Sequence, residues 1–221
     1  MKKCIWFLGI VFLIVGEGCA DKRKYHDIAP ESNTSSIPDK VKEIVQFQRN
    51  LDKTFKNPDS SPLPDRYRKD FEGLDFFSPD TQYIVQGILK KSPNPMPFMM
   101  PTNTERLSEE LVYGVIEFSL KGEPYKVEVY QNVQLKDSLG FKDYLFLPFL
   151  DKTNGEETYD GGRYLDLTIP EGDLIVLDFN KAYNPYCAYN KKYSCPLVPK
   201  VNYINTMIRA GVKRFKLTDK K

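Results

Sequence analysis

Val112 to Val129 reads VYGVIEFSLKGEPYKVEV, and its periodicity decides the fold. Ile116, Phe118 and Leu120 alternate with Glu117 and Ser119, and Val127 and Val129 alternate with Lys126 and Glu128. A period of two puts successive side chains on opposite faces of an extended chain. Lys121-Gly122-Glu123-Pro124 between the runs is a tight turn, so the stretch predicts an antiparallel hairpin.

The same period continues on both sides. Tyr83, Val85 and Leu89 lie upstream; Tyr144 to Leu150, Arg163 to Ile169 and Leu174 to Phe179 lie downstream, joined by Asn154-Gly155 and Pro170-Glu171-Gly172. No helical pattern separates these strands, which predicts a mainly β fold, an antiparallel β-barrel or sandwich, over about residues 80–217. Ser92 to Pro101 carries Pro93, Pro95, Pro97 and Pro101 and is expected to be a loop crossing a sheet edge. Met96, Phe98, Met99 and Met100 within it form an apolar island expected to fold back onto the core.

Before the strands the period is 3.6. Val41, Ile44, Val45, Gln48, Leu51 and Phe55 recur at three- and four-residue steps after Pro38, predicting one N-terminal amphipathic α-helix over 38–56, stopped by Asn57-Pro58. The globular domain is therefore expected to run over 38–221.

Residues 1–18 are of another kind. Met1-Lys2-Lys3 precedes the apolar run Ile5 to Val15, too short to span a bilayer core, which needs about 20 residues, and suited to a secretory signal. Gly18-Cys19 at its end is similar to a bacterial lipoprotein site, although Gly16 and Glu17 depart from the usual box. The expectation is a signal peptide over 1–18, lipidation of Cys19, a flexible polar tether over 19–37, and a domain held at a membrane on the extracytoplasmic side of the cell envelope. Cys187 and Cys195 would then meet an oxidising compartment and are expected to form a disulfide.

Composition narrows the chemistry. The 221 residues carry 32 Lys+Arg against 30 Asp+Glu, a balance that gives no sign of a nucleic-acid partner, and Lys22-Arg23-Lys24 reads as solvated spacer. The single histidine, His26, lies in the polar tether, which speaks against zinc hydrolases and histidine-based triads. The acidic stretch Asp151 to Glu157 lacks the ligand spacing of a calcium loop, Gly161-Gly162 lacks the context of a phosphate loop, and no cofactor motif is present.

The stretch from Phe141 to Gly211 is the most distinctive. It holds Gly155-Glu156-Glu157-Thr158-Tyr159, Gly161-Gly162-Arg163-Tyr164, Asp178-Phe179-Asn180, Ala182-Tyr183-Asn184-Pro185-Tyr186-Cys187-Ala188-Tyr189 and Ser194-Cys195-Pro196. This string resembles the bacterial and archaeal domain-of-unknown-function family 1684, with the resemblance extending over about residues 40–217. It implies a fold-sized unit and a candidate site, and no established activity.

Four of the 14 tyrosines fall between Tyr183 and Tyr193. Tyrosine joins a flat apolar face to a hydroxyl, which suits a pocket for a small polar ligand. The ligand-binding candidates are Tyr159, Arg163, Tyr164, Asp178, Asn180, Tyr183, Asn184, Tyr186 and Tyr189. Asp178, as a base or as the residue orienting Arg163, is the catalytic candidate together with Arg163. The competing structural reading makes Asp178 and Asn180 turn caps, pairs Arg163 with Asp178 as a buried scaffold ion pair, and has the tyrosines pack a long loop onto the barrel around the disulfide. The leading expectation is a binding or interaction module for a small molecule or envelope component; the rival is a hydrolase-type enzyme using Asp178, Arg163 and tyrosine hydroxyls.

Overall fold

The computed structural model describes residues 37–216. The expected signal peptide, the lipidation candidate Cys19 and the expected tether up to residue 36 lie outside the described residues.

The first element is α1 (Ile37–Lys56), with Pro38 in its first turn, Asp39 near the N-terminus, and Lys53 and Lys56 near the C-terminus, all arranged to suit the helix dipole. It ends where Pro58 bars continuation. Its apolar face buries Ile44 and Phe55, and Phe55 packs on Leu63, Leu74, Tyr189 and Val212.

The strands are β1 (Ile84–Lys91), β2 (Pro97–Pro101), β3 (Leu107–Leu120), β4 (Glu123–Asn132), β5 (Tyr144–Asp151), β6 (Arg163–Thr168), β7 (Leu174–Asp178) and β8 (Tyr203–Ile204). They form one sheet in the order β6-β5-β4-β3-β1-β7, with β2 added beside β3 and the short β8 parallel to β5. All other pairings are antiparallel. The β3–β4 hairpin closes through Lys121 (φ 54°) and Gly122 (φ 84°), both left-handed. That is the two-residue turn whose twist matches a hairpin.

The sheet is curled into a half-barrel, and one connection shows why it must be. β6 and β7 are opposite edges, yet only residues 169–173 join them. Five strand spacings of a flat sheet would separate those edges by about 24 Å, whereas so short a connector reaches at most about 22 Å. Curling brings the edges within reach. Inside the curl sit Leu89, Ile116, Phe118, Val127, Val129, Leu145, Leu147, Leu165, Leu177 and Phe179, the main core.

The proline-rich segment departs from its expected form. Pro97–Pro101 is a strand, paired with Leu107–Leu111 of β3. It is tolerated because β3 is the only strand that β2 pairs with; on its other side the Pro101 carbonyl accepts the Leu197 N–H, a bond that needs no proline N–H. Within it Met100 is buried beside Phe98, while Met99 stays exposed. Tyr83 closes a 3-10 turn (Thr81–Tyr83) just before β1 rather than lying in the strand.

A bulge between Val112 and Gly114 shifts the β3–β4 register. Beyond it, Ile116 and Val127 face the main core; before it, Val112 and Tyr130 pack in a second cluster with Met100, Phe146, Tyr164 and Cys195. The sheet is thus buried on both faces over β4, β5 and β6.

Candidate functional site

Alternation along β5 separates the two faces. Leu145, Leu147 and Phe149 enter the main core, while Tyr144 and Phe146 point the other way. Cross-strand registry places Tyr130 and Asp166 opposite Phe146, Tyr164 opposite Pro148, and Asn132 opposite Glu110. This outer face is covered incompletely by α1 and by the tyrosine-rich segment after β7. What remains open is a cleft of about 610 Å³, walled by α1 through Phe47, Leu51 and Phe55 and floored by the outer face of the sheet.

The tyrosine-rich segment is anchored to β6 by paired backbone bonds between Tyr164 and Tyr183 at 2.9 and 3.0 Å. Their rings meet edge to face, as do those of Phe146 and Tyr164 with centroids 4.7 Å apart. The Tyr164 hydroxyl donates to the Pro196 carbonyl. Farther along, Arg106 donates to the Ser194 hydroxyl and carbonyl, both at 2.9 Å, which fixes the cleft's far rim.

Two carboxylates line this cleft. Asp166 is exposed, and its Oδ1 accepts the hydroxyls of Tyr183 at 2.6 Å and Tyr144 at 2.8 Å. Glu110 is buried, and its Oε1 accepts Ser108 at 2.7 Å and Asn132 at 2.8 Å. Burial, then the Asp166 charge, pushes the Tyr144 and Tyr183 hydroxyls well above the ordinary phenol range. Both stay protonated and act as donors to Asp166.

Of the sequence candidates, Tyr164, Tyr183, Asn184 and Tyr186 lie on the cleft wall. Tyr189 packs under α1, its ring 4.7 Å from that of Phe55. Tyr159 turns its hydroxyl towards the Cys187 sulfur at 3.9 Å. Neither Tyr159 nor Tyr189 lines the cleft.

Arg163 and Asp178 do not meet. Arg163 projects to the inner side of β6, is 0% exposed, and pairs with Asp151 at 2.8 Å, a residue equally buried. Its guanidinium also donates to the carbonyls of Ile208 (2.8 Å) and Ala210. Asp151 Oδ1 accepts the Thr153 N–H and hydroxyl and the Ile208 N–H. This knot ties the C-terminal segment to the sheet. Asp178 instead accepts the Asn180 N–H at 3.1 Å and side-chain amide at 2.9 Å, while Asn180 bonds the backbone of Asp80 in both directions. Asp178 is the turn cap of the structural reading, whereas Asn180 lies inside the turn and ties it to Asp80.

The expected disulfide is corrected to two free thiols. The 3-10 turn Tyr186–Ala188 directs the Cys187 N–H at the Cys195 sulfur, 3.3 Å away, and the two side chains share a hydrogen bond. That donation, together with backbone N–H groups, draws the Cys195 thiol below its usual range, and Cys187, which keeps the proton, is raised. Cys195 lines the cleft.

Glu110, Asp166, Tyr144 and Arg106 escaped the sequence reading. Asp166 looks like an ordinary outward residue between Leu165 and Leu167. Glu110 left one trace: it shares the parity of Val112, so an acid stands where the alternation calls for a buried residue. Among the described residues no group of three or more His, Cys, Asp or Glu is placed to hold a metal ion.

Fold and site define a curled antiparallel β domain with a helix-walled cleft on its outer face. The chain belongs to the family described as Protein of unknown function (DUF1684), whose model matches residues 69–213. It is also similar to the solution NMR structure of the uncharacterized protein from gene locus rrnAC0354 of Haloarcula marismortui: 34% identity over 80% of this chain and 95% of that one, with a TM-score of 0.62. A comparison with curated proteins finds no match.

Proposed function

We propose that the outer-face cleft is a small-molecule binding site, and that the protein is a binding module of the cell envelope held by lipid on Cys19. The observation that carries the reading is the cleft itself. At about 610 Å³, with aromatic walls and a few fixed polar groups, it has the size and make-up of a ligand pocket. Asp166 is pre-positioned by two tyrosine hydroxyls before any ligand arrives. The anchor rests on the basic, apolar and Gly18-Cys19 sequence at the N-terminus. Among the described residues no helix is long and apolar enough to cross a membrane.

The hydrolase alternative loses support, because the groups it would use are engaged elsewhere: Arg163 in the buried knot and Asp178 in a turn cap. A thermal-shift screen of polar metabolites tests the binding reading. A ligand at one hundred times its Kd should stabilise the domain by about 2.7 kcal/mol, and Asp166→Asn should abolish that shift without unfolding the protein. If no compound stabilises the domain, or if Asp166→Asn leaves every shift intact, the cleft is not the site. Replacing Cys19 by serine should move the protein from the membrane to the soluble fraction; retention at the membrane would refute the anchor.

A further inference from the structure

Hydrogen bonds around the cleft leave an asymmetric remainder. Glu110 is 3% exposed, and its Oε2 has no donor, although Oε1 has two. Asn184 is 1% exposed; its amide N–H donates to the Lys213 carbonyl at 3.0 Å, which fixes the orientation, and its Oδ1 is left without a partner. Asp166 uses only Oδ1 for its two tyrosines, and no protein group among the described residues bonds Oδ2. All three unfilled valences on the cleft lining are acceptors. A buried acceptor without a donor is unfavourable, and a buried carboxylate more so.

Charge points the same way. The cleft wall carries Glu110 and Asp166 against Arg106 alone, and the Arg106 guanidinium is already bound to Ser194. No lysine or arginine among the described residues pairs with either carboxylate. Both acids line the cleft with Tyr144: Asp166 accepts the Tyr144 hydroxyl directly, and Glu110 adds the weakest of the charges that raise it. The rings of Tyr183, Tyr186 and Phe146 line the same cleft, and an aromatic face attracts a cation.

We infer that the cleft takes an organic amine, with a protonated nitrogen bearing at least one N–H seated between Glu110 and Asp166 beside Tyr144. The inference rests on the reading of the cleft as a ligand site. A sugar or other neutral polyol would supply donors and leave the two carboxylates uncompensated. A quaternary ammonium would supply charge, and no hydrogen for Glu110 Oε2. An anion is excluded by both criteria. At the other end of the cleft Phe47, Leu51 and Phe55 of α1 offer an apolar wall, so the nitrogen is expected to carry a short alkyl or aryl portion.

An isosteric series tests this by calorimetry on the folded protein. 2-Phenylethylamine is the probe; 2-phenylethanol, trimethyl(2-phenylethyl)ammonium and 3-phenylpropionate are its neutral, N–H-free and anionic counterparts. The amine is expected to bind at least tenfold more tightly than any of the three, and Glu110→Gln to remove that advantage while leaving the alcohol unchanged. Equal affinity for alcohol and amine, or an amine affinity indifferent to Glu110→Gln, would overturn the assignment and leave the cleft a ligand site of another class. The same holds if the amine fails while a neutral or anionic metabolite from the screen above binds with dependence on Asp166. If nothing binds in either experiment, both readings fall together.

Discussion

β6 carries an ionic group on each face, and the two have opposite characters. On the inner face Arg163 meets Asp151, the Ile208 and Ala210 carbonyls and the Phe149 ring, all sealed from water. On the outer face Asp166 is held by Tyr144 and Tyr183 and otherwise stands open, with Glu110 half-satisfied nearby. Both sites are pre-organised. The difference is saturation: the knot has almost no valence left to offer, with only Arg163 Nε unbonded, whereas the cleft ends in acceptors that await a donor. A charged group whose bonds are closed within the protein serves the fold, and one whose bonds are left open on a cavity is placed to serve a ligand.

The sharpest way to break this contrast is to cut the knot. Arg163→Ala leaves Asp151 buried and unpaired and is expected to destabilise the domain by about 3–5 kcal/mol, read from urea unfolding. A loss under 1 kcal/mol combined with altered ligand affinity would move Arg163 to the functional side. Next to it, Gly162→Ala forces a side chain onto a φ of +89°, where its Cβ would lie 2.6 Å from Val198 and 2.7 Å from the Phe149 carbonyl. That change should remove about 1–3 kcal/mol, and an unchanged unfolding midpoint would show that the segment yields.

On the open side the effect on stability should be small or reversed. Glu110→Gln removes a buried charge that lacks a full set of donors, so the domain should be unchanged or more stable by up to about 1 kcal/mol. A drop of several kcal/mol would place Glu110 with the knot. Cys195 is expected to react with iodoacetamide at a lower pH than a model thiol, whose pKa is about 8.5, and ahead of Cys187; Cys187→Ala, which removes the donor, should shift the onset upward. An amine in the cleft should protect Cys195, and indifference to the amine would separate the sulfur from the site.

The smallest effect belongs to a third carboxylate, Glu117, salt-bridged on the open surface by Lys126 and Lys90 at 2.7 and 2.6 Å. Hydrogen bonds from Lys126 and then Lys90 lower its pKa to about 2. A lowered folded pKa gives a stabilising contribution that is present above the unfolded value of about 4.3. It is lost as the pH falls from there towards about 2. An NMR titration of the Glu117 side chain giving a midpoint near 4.3 would show that the lysines are too mobile to hold it.

The alternation of Val112 to Val129 and the three- and four-residue steps of Val41 to Phe55 made the hairpin and the helix legible, because both patterns are local. The tyrosine-rich segment was legible as a site wall through composition alone, and Tyr164, Tyr183, Asn184 and Tyr186 do line the cleft. What could not be read is pairing at a distance. Arg163 finds Asp151 rather than Asp178 because β6 pairs with β5, which ends at Asp151, whereas β7, which ends at Asp178, pairs with β1 at the opposite edge of the sheet. Glu110 on β3 and Asp166 on β6 line one cleft with β4 and β5 between them, a relation that neither local sequence announces. β2 was hidden by its prolines, which rule out a central strand and allow an edge.

The route by which α1 becomes part of the cleft has a consequence for how the chain acquires its structure. The helix is synthesised before any strand, yet Phe55 rests on Tyr189, the Asn190 side chain reaches 128 positions back to the Pro62 carbonyl, and Lys213 reaches 138 back to Asp75. None of these partners exists until residues 189–213 have been made. Closing such long loops is slow, on the order of milliseconds to seconds for folds dominated by distant pairings. Until then the helix has only its near neighbours Leu63, Phe71 and Leu74 to cover part of its apolar stripe. The cleft is finished only when the segment from Tyr183 to Pro196 arrives, and loss of the segment carrying Ile208 and Ala210, which bond Arg163, should abolish the fold as a whole rather than trim its edge.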